Sequence, residues 1–184
     1  MNKSNQNINL LKVAAGFLAC LFFRLMPFRA PNIEPILAAS MPYSKVYGYI
    51  IAILFPFISI IAYDVITGTV GVWTVFTSLS YAIVGLGSAI YFKKYKATKA
   101  HFASFSIIGT LFYDAMTGLT VGPLFFGQSF SGALLGQIPF TAMHLIGNVG
   151  FAVTISPLLY MYLKKRPEEN KLKIKNIINT PKAV

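Results

Sequence analysis

The chain has 184 residues, of which 55% are hydrophobic and only 11% are charged, and its formal net charge is +11. Because a soluble domain carries about 25% charged residues, this composition excludes a water-soluble globular domain and predicts a single all-α integral membrane domain. The positive charge does not indicate a nucleic-acid partner, since the lysines lie in short clusters between apolar runs, the pattern that orients membrane proteins.

In chain order, six apolar segments are predicted to be helices, at about 8–28, 33–43, 46–63, 71–92, 101–116 and 138–163. A helix needs about 20 apolar residues to cross the ~30 Å hydrocarbon layer, so the second segment is too short to cross unaided. The first is predicted to be a retained helix rather than a cleaved signal peptide, because apolar residues directly follow Cys20. This single cysteine excludes an internal disulfide.

The positions of the lysines decide whether the segment 33–43 crosses the membrane. If all six segments cross and the N-terminus is inside, every lysine lies on the cytoplasmic side or at its edge. If this segment does not cross, the lysine-rich loop 93–99 and the basic tail 164–184 cannot share that side with the N-terminal lysines. The positive-inside bias therefore predicts a six-helix bundle in the cell (inner) membrane, with cytoplasmic N- and C-termini.

A short motif recurs along the chain, as Tyr63-Asp64-Val65-Ile66-Thr67-Gly68 and again as Tyr113-Asp114-Ala115-Met116-Thr117-Gly118. Each copy closes an outward-going predicted helix, so the third and fourth helices and the fifth and sixth form a parallel hairpin repeat. The first two helices form another hairpin, which brings Glu34 to the same end as Asp64 and Asp114. These aspartates are either solvated interfacial residues or partners of an arginine, a ligand amine or a cation, because a helix C-terminus disfavours negative charge.

Further polar residues near the outer ends are candidates for a ligand site. Arg24 lies near the outer end of the first helix, where it either snorkels to the headgroups or pairs with an outer carboxylate or a ligand. Trp73, Thr77 and Tyr81 are four residues apart along the fourth helix. They either pack between helices or form a stacking wall with hydroxyl groups for a planar ligand.

The sixth predicted helix and the stretch before it complete the candidate site. His144 and Asn148 are polar residues inside an apolar span, so they are expected to face the bundle and bind either another helix or a ligand. One histidine without other ligands at suitable spacing does not predict a metal site. The Gly-rich apolar segment 119–137 is predicted to be an ordered outer loop or re-entrant lid.

These features together resemble the substrate-binding S components of energy-coupling factor (ECF) type ABC transporters, over roughly residues 8–163. The motifs that carry the resemblance are Ala15-x-x-x-Ala19, the turn Pro31-Asn32-Ile33-Glu34-Pro35, Tyr63-Asp64-x-x-Thr67-Gly68 and Ile138-Pro139-Phe140-x-x-x-His144-x-x-Gly147-Asn148. The resemblance implies capture of a vitamin-like small molecule at the outer face. Docking of the first helix on a transmembrane coupling subunit driven by two ATPases would then release the molecule inside.

On this interpretation Ala15 and Ala19 form the docking face, although such a small-residue pair also serves internal helix packing. The substrate-binding residues are expected to be Arg24, Glu34, Asp64, Trp73, Thr77, Tyr81, Asp114, His144 and Asn148. No cofactor is predicted, and the sequence shows no nucleotide loop or hydrolase motif that would indicate an enzyme. Two alternatives stay open, a stand-alone small transporter or channel and a structural or assembly membrane protein without a ligand.

Overall fold

The fold is described from a computed structural model, which covers residues 9–30 and 32–164. Within these residues the chain forms helices and connecting segments but no strand. The helices are α1 (Leu10–Leu25), α2 (Ile36–Tyr47), α3 (Tyr49–Thr67), α4 (Val72–Lys94), α5 (Lys99–Gly118), α6 (Val121–Phe125) and α7 (Phe130–Lys164). The six predicted helices thus correspond to α1–α5 and α7, and the predicted cytoplasmic tail lies outside the described residues except for Lys164.

The short helix α2 lies at the centre of the helical bundle. Every residue from Ile36 to Ser44 is buried, and the helix contacts α1, α3, α4, α5 and α7. Twelve residues rise only about 18 Å, so α2 is shorter than a hydrocarbon layer and is covered by protein on all sides. Gly48, with φ 80°, ends α2 and starts α3 at a single residue, a corner that only glycine forms without strain.

Helices α3 and α4 pack closely as an antiparallel hairpin. A Cβ atom on Gly85 of α4 would lie only 1.9 Å from the carbonyl oxygen of Ala52 on α3, so the missing side chain permits this approach. On the other side of α2, α7 packs along α5. The two hairpins hold the ends of α3 and α5 and the start of α4 near the same end of the bundle.

The outer surface of the bundle is apolar. Large hydrophobic side chains such as Ile58, Ile83, Ile108 and Ile146 are exposed around it. Four helical stretches are long and apolar enough to cross a membrane: Tyr49–Thr67, Val72–Lys94, Lys99–Phe125 and Phe130–Lys164. This surface and these lengths are those of a membrane protein, because a soluble protein rarely exposes so large a continuous apolar area.

The predicted lid 119–137 is wrong in its extent. The segment contains the five-residue helix α6, and α7 already begins at Phe130. Ser129 starts α7 early, since its carbonyl oxygen accepts from the Ala133 N–H at 2.9 Å and its hydroxyl oxygen accepts from the Gly132 N–H at 3.1 Å. The sixth helix was predicted to begin at about residue 138, next to Pro139, but this proline lies inside α7.

Candidate functional site

Buried polar side chains gather at one end of the bundle, and we call this group the polar cluster. Its members are Arg24, Glu34, Tyr63, Asp64, Thr74, Tyr81, Thr110, Tyr113, Asp114, His144 and Asn148. The lysines that the structure describes lie at the opposite end, where Lys12 Nζ donates to the Tyr162 carbonyl at 3.0 Å and Lys45 Nζ donates to the Tyr95 carbonyl at 3.0 Å. The three carboxylates outside the tail therefore share one end, as the sequence predicted.

Arg24 of α1 is ion-paired with Glu34, just before α2. Its Nη1 atom lies 2.9 Å from Glu34 Oε2, and the Tyr81 hydroxyl donates to Oε1 of the same carboxylate. The guanidinium also lies over the Tyr63 ring, 4.2 Å from its centroid. Both side chains are nearly buried, at 12% and 9% exposed, so Arg24 faces the bundle and does not snorkel. This ion pair joins α1 to the segment just before α2, and the charges of Arg24 and Glu34 neutralise each other.

Asp64 near the end of α3 is bonded to α4. Thr74 Oγ1 donates to Asp64 Oδ2 at 2.5 Å and itself accepts from the Gly71 N–H at 3.1 Å. Gly68 makes this turn possible, because it ends α3 in the left-handed region with φ 68°. No lysine or arginine of the described residues forms an ion pair with Asp64, and its side-chain hydrogen bond is to the Thr74 hydroxyl.

Asp114 of α5 and His144 of α7 form the most deeply buried pair of titratable groups in the polar cluster. His144 Nδ1 lies 2.7 Å from Asp114 Oδ1, and the two residues are only 3% and 2% exposed. One helical turn away, after His144 on α7 and before Asp114 on α5, a second pair follows. Asn148 Nδ2 donates to Thr110 Oγ1 at 2.9 Å. The α5–α7 interface therefore carries two successive polar pairs inside an apolar bundle.

Asp114 Oδ2, His144 Nε2 and Asn148 Oδ1 are buried and have no hydrogen-bond partner among the described residues. The same holds for other buried atoms of the described chain: Arg24 Nε and Nη1, Arg29 Nε, Ser106 Oγ and Gln137 Oε1. Buried polar groups are hydrogen-bonded in the great majority of cases, because an unpaired one costs about 1–3 kcal/mol. The polar groups of Asp114, His144 and Asn148 are therefore only partly paired within the described chain. Asp114 and His144 supply only two potential metal ligands, and no group of three or more His, Cys, Asp or Glu residues suited to a metal occurs in the described chain.

The two copies of the repeated motif differ at their ends. Each aspartate bonds to the next long helix of its own hairpin, Asp64 to Thr74 and Asp114 to His144. Gly68 ends its helix, whereas Gly118 remains helical. A Cβ atom on Gly118 would lie 1.9 Å from Gln137 Nε2, so this glycine makes room for a side chain of α7 rather than forming a left-handed cap.

Of the three residues of the predicted stacking wall, Tyr81 belongs to the polar cluster, whereas Trp73 and Thr77 lie outside it. Trp73 is 41% exposed, and its indole N–H donates to the Thr69 carbonyl at 2.9 Å. The Thr77 hydroxyl donates to the Trp73 carbonyl at 2.7 Å. A spacing of four residues drifts around a helix of 3.6 residues per turn, so only Tyr81 of the three reaches the interior.

Thr110 and Tyr113 were not among the site residues predicted from the sequence. The ring of Tyr113 lies 4.3 Å from that of Tyr81 and 5.5 Å from that of His144, so it belongs to the polar cluster. Thr110 precedes Asp114 by one helical turn, as His144 precedes Asn148. Comparison of these matched spacings on two helices was the signal that could have found Thr110.

We expect Asp114 and His144 to stabilise the bundle as a coupled pair. His144→Leu alone leaves a buried carboxylate without its partner, and we expect it to lower the free energy of unfolding by about 3 kcal/mol. Asp114→Leu with His144→Leu should cost less than the sum of the single changes, with a coupling of about 1–3 kcal/mol. Thermal unfolding of the four proteins in detergent measures this cycle, and strictly additive costs would contradict the pairing.

Comparisons of the chain with protein-family models, with curated proteins and with solved structures find no match. The basis for a functional conclusion is therefore the molecule's own geometry. That geometry combines an apolar helical bundle, a polar cluster at the end remote from the described lysines, and buried polar atoms between α5 and α7 that have no partner among the described residues.

Proposed function

We propose that this chain is the membrane-embedded binding subunit, or S component, of an ECF-type uptake transporter for a vitamin-like small molecule. In this proposal residues 1–184 form one multi-pass domain of the cell (inner) membrane. The six longer helices make up the membrane bundle, and both termini are cytoplasmic. The polar cluster then faces outward, because the positive-inside bias directs the lysine-rich end toward the cytoplasm.

The observation that carries the proposal is the set of three unpartnered atoms on Asp114, His144 and Asn148. Polar groups inside an apolar bundle are costly, and they persist where they bind each other, a ligand or an ion. Here each side chain uses one polar atom to hold a neighbouring helix and leaves a second atom free. Side chains that are already held by a neighbouring helix suit high-affinity capture, since they need little ordering when the ligand arrives.

The segment around α6 is suited to cover this site. Phe125 contacts Phe76 with ring centroids 5.2 Å apart, and Phe126 contacts Trp73 at 6.2 Å. Phe126, directly after α6, is nevertheless 61% exposed, and α6 itself contacts α4, α5 and α7. In the proposed cycle α6 moves aside to admit the ligand and returns over it, which gives Trp73 a role in holding the cover rather than in binding.

The outer face of α1 suits the proposed docking on a coupling subunit. Ala15 and Ala19 are both exposed, and they lie beside the exposed residues Leu18 and Phe22. The opposite face of α1 packs on α2, where a Cβ atom on Gly16 would meet the Tyr43 hydroxyl at 1.9 Å. Small residues allow another helix to approach closely in a membrane, so this stripe is available to a second membrane protein.

A ligand-free assembly protein is the second candidate. The observation that favours it is that Glu34, Asp64 and Asp114 each already have a protein partner. In that case the polar cluster would only join helices, and a purified protein would carry no bound molecule. Retention of a small molecule therefore discriminates between the two functions.

We expect the detergent-solubilised protein to retain a small molecule through purification. Asn148→Leu removes one unpartnered acceptor and the bond to Thr110, so we expect at least about a tenfold loss of retained ligand, equivalent to one charge-assisted or buried hydrogen bond. Thr154→Ala is the matched control, because Thr154 lies on the same helix, is exposed and bonds only to the Gly150 carbonyl. Mass spectrometry of the three preparations measures the retention. Equal amounts in all three, or none in any, would contradict the proposed site.

We expect Ala15→Trp combined with Ala19→Trp to abolish co-purification with the coupling subunit and ATPases when these are co-expressed from the same organism. Two indole rings on this face prevent close approach of another helix. Ile107→Trp combined with Leu111→Trp is the control, since both residues are exposed apolar positions of α5 with the same spacing. A complex that survives the α1 changes and is lost with the α5 changes would place the docking face elsewhere.

A further inference from the structure

A cavity of about 180 Å³ lies at the lysine-rich end of the bundle, where the corner between α2 and α3 meets the end of α4. Lys45 and Gly48 line it from the corner, and Phe92 and Lys93 line it from α4. We propose that this cavity, which we call the basic cavity, binds the phosphate group of an anionic membrane lipid. The inference concerns the opposite end of the molecule from the polar cluster and does not depend on the proposed capture function.

The size of the basic cavity suits a lipid headgroup rather than a whole soluble ligand. Pockets that enclose drug-sized ligands have volumes of about 300–1,000 Å³, so a cavity of about 180 Å³ holds only part of a larger molecule. Ile50 and Ile90 directly follow the lining residues Tyr49 and Ala89, and their apolar side chains are 65% and 56% exposed. Acyl chains can therefore lie on the bundle surface beside a headgroup in the cavity.

The basic cavity carries positive charge that no described carboxylate opposes. Neither Lys45 nor Lys93 forms an ion pair with a described residue. The carboxylates that the structure describes, on Glu34, Asp64 and Asp114, all belong to the polar cluster at the other end. A phosphate group would meet two ammonium groups without a competing internal anion, and basic pockets between membrane helices bind anionic headgroups.

Lys45 is held in position at the wall of the basic cavity. Its Nζ atom donates to the Phe92 carbonyl and, at 3.0 Å, to the Tyr95 carbonyl, so it also caps the end of α4. An ammonium group has three N–H donors, and the third has no partner among the described residues. This donor can reach a phosphate oxygen, and such charge-assisted hydrogen bonds are stronger than neutral ones.

The start of α3 adds to the positive potential of the basic cavity. Gly48 is the N-cap of this helix, and no side chain caps its first turn. The first N–H groups of a helix lack intrahelical partners and carry a positive partial charge. This contribution supplements the two lysines, which together with the cavity define the site.

Mixed detergent micelles test the assignment with the full-length protein. We expect dioleoylphosphatidylglycerol, an anionic lipid, to raise the unfolding temperature by about 3 °C or more above the value in the same amount of dioleoylphosphatidylcholine. The two lipids have the same acyl chains, but the second has no net charge. Inorganic phosphate at about 10 mM should cause no shift, because it lacks the chains that hold a lipid at the apolar surface.

Lys93→Gln removes one cation from the wall of the basic cavity, and Lys93 is exposed and forms no ion pair with a described residue. We expect it to raise the phosphatidylglycerol concentration at half-maximal shift about fivefold, the effect of one lysine near an anionic lipid surface. Lys99→Gln is the matched control, because Lys99 is an exposed lysine that does not line the cavity. It should leave this concentration unchanged.

A shift with phosphatidylglycerol no larger than that with phosphatidylcholine overturns the proposal. An unchanged half-maximal concentration in Lys93→Gln, or an equal increase in both variants, also overturns it, because the lipid would then be attracted diffusely to the lysine-rich end. A shift with inorganic phosphate as large as that with the lipid would assign the cavity to a soluble anion instead. None of these outcomes changes the amount of small molecule that the purified protein retains, so this proposal and the capture function fail separately.

Discussion

The cost of placing charged groups inside an apolar bundle is the constraint on which this structure depends. An isolated charge is too costly there, so each must find a partner on a neighbouring helix. Arg24 meets Glu34 across the α1–α2 connection, and Asp114 meets His144 across α5 and α7. Because apolar side chains alone would allow helices to slide or rotate in lipid, these contacts select one arrangement of the helix ends.

The central helix α2 makes this arrangement possible. It is too short to reach from one end of the bundle to the other. The segment before it therefore enters the bundle and places Glu34 beside Tyr81 in the interior. The helices that pack around α2 bring their polar residues together at one end of it. The proposed ligand site at this position draws on several helices at once, so binding there would be coupled to movement of α1 or α6.

The sequence predicted the six longer helices, the common end for the three carboxylates and the inward direction of His144 and Asn148, because apolar periodicity and polar exceptions are local signals. It did not predict that Trp73 turns outward, since a repeat of four residues resembles the helical period too closely to define a face. The early start of α7 was missed because the sixth helix was predicted to open at Ile138-Pro139-Phe140, and the capping by Ser129 is seen only in the structure. Contacts between distant helices, such as Thr110 with Asn148, require the fold itself.

The proposed capture function requires the polar cluster to face the outside of the cell. Labelling of single cysteines in intact cells with a membrane-impermeant maleimide tests this directly, in a chain whose own Cys20 is buried. A cysteine at Phe126, beside the polar cluster, should react in intact cells. A cysteine at Lys96, at the lysine-rich end, should react only after permeabilisation. The reverse pattern, or equal reaction of both in intact cells, would contradict an outward-facing capture site.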